Sequence, residues 1–381
     1  MADPTLVVIF LRGGADGLSI VSPTGDRNYI AARPAEIRVL SKGDNKGFRL
    51  KEANADAGFH WHSGAKGLSE LYDAGELAVV HATGLADGTR SHFDAEDRME
   101  TAAPGVGSSA GGWLARWLKA VKPEGILPAL AIGPSAPDSL RGAMEVAVAQ
   151  DLSGLRLAPG HGYSSQIRAM LAKQLGQDAL LGAPVKRILQ LSKEIEAKVA
   201  LDSDGNLKAY EATVDYPQDN PLSDPLKSVA QAIKLDLGLR VTTVDFGGWD
   251  THVNQAGEIA QQIRFLSSAV NAFWRDLGDR CGDVSVIVMS EFGRRLKSNE
   301  SGGTDHGHGN MMLMLGPKVK GGKMYGTWPG LENDALDEGA DLAITTDYRH
   351  VLAEMMSGHM GFGDSGVLFP KFEAKPLGVS A

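Results

Sequence analysis

The chain has 381 residues and a single cysteine, Cys281. One thiol excludes a disulfide framework and a cysteine-rich zinc site. Beside an apolar strand it reads as a small buried side chain. No run approaches the roughly 18 apolar residues that cross a bilayer, so no membrane span is expected. No basic stretch followed by a long apolar one stands near Met1, so no signal peptide is expected in this chain. The compartment stays open: cytoplasmic if the chain is complete, exported if it is a processed form. There is no block of Lys or Arg, and the formal net charge is −9. That balance speaks against a nucleic-acid partner. P-loop and GxSxG spacings are both missing, and the glycines of "LRGGADG" lack dinucleotide-binding spacing. Internal repeats and low-complexity tracts are missing as well.

What is present is a globular composition, 43% hydrophobic and 22% charged. Short apolar, β-branched runs recur, most of them ending near glycine: Leu6–Leu11, Glu76–Gly84, Leu127–Pro134, a run within Leu239–His252, another within Asp283–Arg294, and Gly309–Pro317. Such runs suit strands buried on both faces of a parallel sheet. Helical patterns fall between them, including "SHFDAEDRMETA", "GWLARWLKAV" and "QAGEIAQQIRFLSSAVNAFWRDLG". The alternation predicts one α/β domain with a mostly parallel sheet covered on both faces. Residues 164 to about 237 read as a helical insertion or cap within that domain.

Ligands of open α/β sheets bind beyond the C-terminal ends of the strands. The polar clusters of this chain fall there. Arg12 and Asp16 follow the first run, and Arg90, Ser91 and His92 the second. Asp250 and His252 follow the fourth. Glu291 ends the fifth, and Asp305, His306 and His308 come before the sixth. Carboxylate and imidazole together suit zinc, manganese or iron, and carboxylate alone suits magnesium or calcium. Each residue also has a plainer reading. Asp250 could cap a helix, Asp16 could form a turn, and Glu291 could pair with Arg294 or Arg12. Ser91 stands where a hydroxyl caps a helix or attacks a substrate held at the helix N-terminus. Arg90 is placed to clamp an anion. His92 suits an acid, a base or a hydrogen-bonding partner. The "HWH" of His60–His62 reads as a loop pair ahead of a helix.

Five segments, "FLRGGADGLSIVSP", "RSHFDAEDRMETA", "DFGGWDTHVNQ", "SEFGR" and "GGTDHGHGN…LGPKVKGGKMYG", resemble in that order the bacterial family of unknown function DUF1501. By similarity this family is grouped with the alkaline phosphatases and sulfatases. The resemblance implies a three-layer α/β/α sandwich with a divalent metal site at the strand ends. Where the superfamily has a metal-binding Asp after its first strand, this chain has Arg12, with Asp16 four residues on. Ser91 matches the nucleophile position. Asp250 and His252 match an Asp–His pair of longer spacing. Glu291 matches the Asp of a later Asp–His, and Phe292 in the next place cannot ligate. His306 or His308 matches a final ligand. In a rival register Asp305 and His306 are the Asp–His pair. Either way one metal site is implied, with Asp250, His252 and His306 or His308. A second is weakened, and Arg12 or Arg90 would replace its charge. The implied function is metal-dependent hydrolysis of a small anionic phosphate or sulfate ester, by Ser91 or by an activated water. The alternatives are an anion- or partner-binding protein without activity, and a phosphomutase or transferase.

Overall fold

Alternate residues of the first strand enter different cores. Val7, Ile9 and Leu11 pack on one side and Leu6, Val8 and Phe10 on the other, all of them buried. Successive side chains of a strand point to opposite faces, so this sheet must be covered twice. The computed structural model describes residues 3–51, 57–103, 111–157, 159 and 162–380. Its strands are β1 Thr5–Leu11, β2 Val21–Pro23, β3 Phe48–Arg49, β4 Phe59–Trp61, β5 Leu77–Gly84, β6 Ala129–Ile132, β7 Val146–Ala149, β8 Val241–Phe246, β9 Val284–Met289, β10 Asn310–Leu315, β11 Met324–Tyr325 and β12 Thr346–Asp347. Its helices are α1 Gly17–Ile20, α2 Arg27–Ala32, α3 Lys66–Asp73, α4 His92–Thr101, α5 Trp113–Val121, α6 Ser164–Leu175, α7 Gly182–Lys198, α8 Ser223–Lys234, α9 Gln255–Leu277, α10 Tyr348–Gly358 and α11 Ser365–Leu368.

Among the described residues nine strands form the central sheet, in the order β11-β5-β10-β9-β1-β8-β6-β7 with β12 beside β5. Helices α3, α8 and α9 bury their apolar faces on one side, through residues such as Leu68, Val229 and Phe273. Helices α4, α5 and α10 cover the other, through Met99, Trp117 and Met355. The result is the expected three-layer α/β/α sandwich. All six expected strands are present. Strand β7 and the two-residue edge strands β11 and β12 are too short for periodicity to reveal.

Only one departure from parallel order matters to the site. Strand β10 runs antiparallel to both β5 and β9. The chain therefore turns back after β9, and residues 290–309 stay at the edge where β1, β8 and β9 end. Within residues 164–237, α6 and α7 pair with each other, while α8 lies on α9 and β8. A second sheet, β2-β4-β3, holds His60 in its middle strand. There His60 Nδ1 lies 2.7 Å from Thr24 Oγ1, and His62 Nδ1 accepts from the Gly64 amide at 2.9 Å. This pair is therefore part of a strand and its turn, not of a loop. Among the described residues, no helix is long and apolar enough to cross a membrane.

Candidate metal centre

Two glycines let the returning loop lie flat against its neighbours. A Cβ on Gly303 would stand 2.3 Å from the His252 carbonyl carbon, and one on Gly307 would stand 2.4 Å from that of Arg294. Contacts that short do not occur, so only glycine permits the approach. Backbone bonds then fix the loop: the Thr304 amide donates to the Thr251 carbonyl at 3.1 Å, and the Gly307 amide to the Gly293 carbonyl at 2.8 Å. This is how "GGTDHGHGN" comes to lie across the ends of β8 and β9.

Four side chains meet there. His92 is the first residue of α4, Asp250 and His252 follow β8, and His306 rides on the returning loop. One ligand atom from each of His92, Asp250 and His306 lies within 4.8 Å of the other two. The Asp250 Oδ1 is 3.0 Å from His252 Nε2, 3.2 Å from His306 Nε2 and 3.5 Å from His92 Nε2. The two nitrogens His252 Nε2 and His306 Nε2 are 2.9 Å apart.

The outer nitrogens of these rings are held as well. His92 Nδ1 is 2.7 Å from Glu291 Oε1, His252 Nδ1 is 3.3 Å from Asp305 Oδ1, and His306 Nδ1 is 2.8 Å from the Arg90 carbonyl oxygen. A proton on Nδ1 satisfies each acceptor and leaves the Nε2 lone pair pointing inward. Lone pairs that face each other at hydrogen-bond distance repel unless a proton or a metal cation lies between them. His92 Nε2 is buried and has no hydrogen-bond partner among the described residues. Carboxylate or carbonyl support behind each imidazole is the pattern that orients metal-ligating histidines. By donor chemistry, orientation and this orphaned nitrogen, the residues fit a divalent ion.

Electrostatics favour the ligating form of the carboxylates and of His306, and the protonated form of His92 until a cation displaces its proton. Burial would raise the Asp250 pKa, but the Arg294 bond and charge, with His306 and His252, hold it at about 2. The Asn299 amide and then His252 lower Asp305. Burial works against ionised Glu291, yet bonds from His92 and the Gly13 amide lower its pKa. The bond to Glu291 raises His92. Burial lowers His306, against the pull of the Arg90 carbonyl and Asp250.

Other residues singled out from sequence stand elsewhere. Asp16 is wholly buried, caps α1, and binds Arg33 through both oxygens at 2.6 and 3.0 Å. That ion pair takes the place of a ligand role. Because a buried guanidinium would lose its counter-charge, Asp16→Asn is expected to cost about 3–5 kcal/mol of stability in chemical denaturation, with metal uptake unchanged in the folded fraction. Arg12 stacks over Phe10 at 3.9 Å and is held by Glu100 at 2.6 Å, Asp245 at 2.9 Å and Glu96 at 3.5 Å. Burial pushes Glu100 up to about 7 despite Arg12. Arg90 binds Asp341 at 2.5 Å and reaches Asp337 and Glu338 at 3.2 Å each. Neither arginine is free to clamp an anion. His308 lies between the Leu85 carbonyl at 3.1 Å and Asp337 at 3.0 Å, apart from the three inward imidazoles. Ser91 caps α4, its Oγ accepting from the Asp94 amide at 3.5 Å. Glu291 stands behind His92 and pairs with neither Arg12 nor Arg294. The Phe292 ring packs on His92 and His306, with centroids 4.8 and 4.9 Å apart.

Over residues 3–367 the chain matches the family described as "Protein of unknown function (DUF1501)". It belongs to that family. No functionally curated protein matches this DUF1501 chain. Several solved structures do. Ps i-CgsB in complex with k-i-k-neocarrahexaose is 12% identical, with a TM-score of 0.41, over 97% of this chain and 73% of that one. Alkaline phosphatase from the Antarctic bacterium TAB5 is 11% identical, with a TM-score of 0.38, over 85% of this chain and 95% of that one. The C-terminal periplasmic domain of EcEptC from Escherichia coli is 8% identical, with a TM-score of 0.43, over 98% of this chain and 88% of that one. All three superpose loosely.

Two further residues support the centre: Asn299, which no motif singles out, and Arg294, which by sequence is a candidate partner of Glu291 and bonds Asp250 instead. Asn299 donates to Asp305 at 3.0 Å and to the His252 carbonyl at 2.9 Å. Arg294 bonds Asp250 at 2.5 Å. Only the arginine left a signal, as the last letter of "SEFGR".

Proposed function

We propose that this DUF1501 protein is a single-metal hydrolase of phosphate or sulfate esters. The supporting observation is the inward convergence of three imidazole Nε2 atoms on the Asp250 carboxylate, each ring oriented from behind. His92, His252, His306 and Asp250 would hold the ion. Three nitrogen donors and one oxygen favour zinc or iron over magnesium or calcium, which take oxygen ligands. When bound, such an ion supplies Lewis acidity to an oxygen of the ester.

The chain's own residues do the rest. Ser91 lies between Arg90, whose carbonyl holds His306, and His92 itself. Its backbone is thereby fixed against the centre on both sides. Its hydroxyl makes only a long 3.5 Å bond as a cap. In this reading Ser91 Oγ displaces the alcohol of the ester and forms a phospho- or sulfoserine, which water then hydrolyses. The test is alcohol release from a panel of phosphate and sulfate esters by the metal-loaded protein. Ser91→Ala is expected to lose about a thousandfold or more in kcat/KM. No turnover of any ester by the loaded wild type would overturn the reading. Full activity in Ser91→Ala would overturn the serine's role. Product analysis separates hydrolysis from phosphoryl migration or transfer.

A second reading, anion or partner binding without turnover, is favoured by one observation. Both expected anion clamps, Arg12 and Arg90, are spent on carboxylates. Tight ester binding by the loaded protein without product would select it.

A further inference from the structure

Arg294 is a charged side chain with 1% of its surface exposed. Its Nε donates to the Gly14 carbonyl at 2.7 Å and its Nη1 to the Thr304 carbonyl at 2.8 Å. Its Nη2 reaches the Gly13 carbonyl at 2.5 Å, the Trp249 carbonyl at 3.2 Å and Asp250 Oδ1 at 2.5 Å. These acceptors come from the loop after β1, the loop after β8 and the loop before β10. One guanidinium thus ties together the three segments that carry or flank the centre.

Among these partners only Asp250 is charged, and it offers Arg294 the same oxygen that faces the three imidazoles. The one negative charge in the ligand set is therefore already balanced from inside the protein. Glu291 and Asp305 stand one ring away, behind His92 and His252, so the guanidinium on the ligand oxygen itself leaves a divalent ion held there more positive than it would be without Arg294. A buried, fixed countercharge acts on the site far more strongly than a solvated one.

Building on the metal reading above, we propose that Arg294 is a positioning residue that also sets the charge of the centre. The loaded centre then binds a phosphate- or sulfate-type oxyanion itself, in place of the sequestered Arg12 and Arg90. Lysine at 294 keeps the charge and loses most of the hydrogen bonds. Glutamine removes the charge.

The experiment compares the full-length wild type, Arg294→Lys and Arg294→Gln. It reads zinc affinity by chelator competition, inorganic phosphate affinity of the zinc-loaded protein by calorimetry, and the melting temperature without metal. Both variants are expected to melt lower. Zinc-loaded Arg294→Gln is expected to bind phosphate about tenfold or more weakly, and Arg294→Lys within about threefold of wild type. Phosphate affinity equal to wild type in the glutamine variant overturns the charge role, as does an equal loss in both variants. If neither variant folds, Asp250→Asn decides. It is expected to weaken zinc and, once loaded, to strengthen phosphate, and weaker phosphate binding overturns the proposal. A wild type that takes up no zinc instead overturns the metal reading beneath it. One that takes up zinc but binds no phosphate overturns only this inference.

Discussion

Replacing His306 with alanine is expected to remove stoichiometric metal from the protein while leaving it folded. Four-ligand zinc sites hold their ion with roughly 10–16 kcal/mol, so one ligand in four carries about 3–4 kcal/mol, a loss of about a hundred- to thousandfold in affinity. His306 is well placed for so large an effect. Its Nε2 is close to both His252 Nε2 and Asp250 Oδ1, and its Nδ1 is anchored to the Arg90 carbonyl. Its loop is held by backbone bonds that alanine leaves in place, such as that from Gly307 to Gly293. The melting temperature without metal should therefore change little, since two repelling lone pairs become one. Metal content by mass spectrometry and competition with a chelator check both parts. Retention of the ion at wild-type affinity would mean that the three imidazoles converge for another reason.

The second large effect belongs to Glu291, which ligates nothing. Its Oε1 accepts from the Gly13 and Gly14 amides at 2.8 Å each and faces His92 Nδ1, while its Oε2 accepts from Ser290 at 2.8 Å. Glu291→Ala leaves the two glycine amides without an acceptor, at about 1–3 kcal/mol each, while Ser290 can still donate to the Leu11 carbonyl at 2.7 Å. It also frees the His92 ring to rotate. We expect a loss of about 3–5 kcal/mol in denaturant unfolding. We also expect a fall of about 10–100-fold in metal affinity, the range seen when the group behind a ligating histidine is removed. Glu291→Gln separates the two effects. The amide oxygen can still serve the glycine amides, so most of the stability returns. The ionic partner of His92 does not return, so metal affinity stays below wild type. Equal recovery of both would mean that Glu291 only fills space and hydrogen-bonds the loop.

The sequence made the sheet legible because its longer strands are apolar or β-branched runs, and such runs identify doubly covered strands without tertiary information. Strand-end placement likewise singled out Asp250, His252 and His306, which the structure brings together. The division of labour among the other polar residues could not be read. Asp16 and Arg33 pair within the first segment, but their burial depends on Gln255 and the Leu296 carbonyl, which are remote in sequence. His92 sits behind a serine that reads as a helix cap, and the partner that turns its ring inward is Glu291, 199 residues away. Letters alone made Arg12 and Arg90 look like anion clamps, because the carboxylates that occupy them, Asp245 in β8 and Asp341 in a loop, are remote in sequence. The choice between registers had the same root. Asp305 and Glu291 both fit a ligand by spelling, and only the packed structure places each behind a histidine.

The most direct test is the metal content of untagged wild-type protein beside His92→Ala, each reloaded with zinc or iron and measured by elemental analysis. His92 is the decisive residue, because its role as a ligand follows from the geometry of the centre and not from the motifs. One bound ion per chain in the wild type, lost in His92→Ala with the fold intact, is the predicted result. A wild type that holds no ion after reloading, or an ion held equally well without His92, would contradict the account.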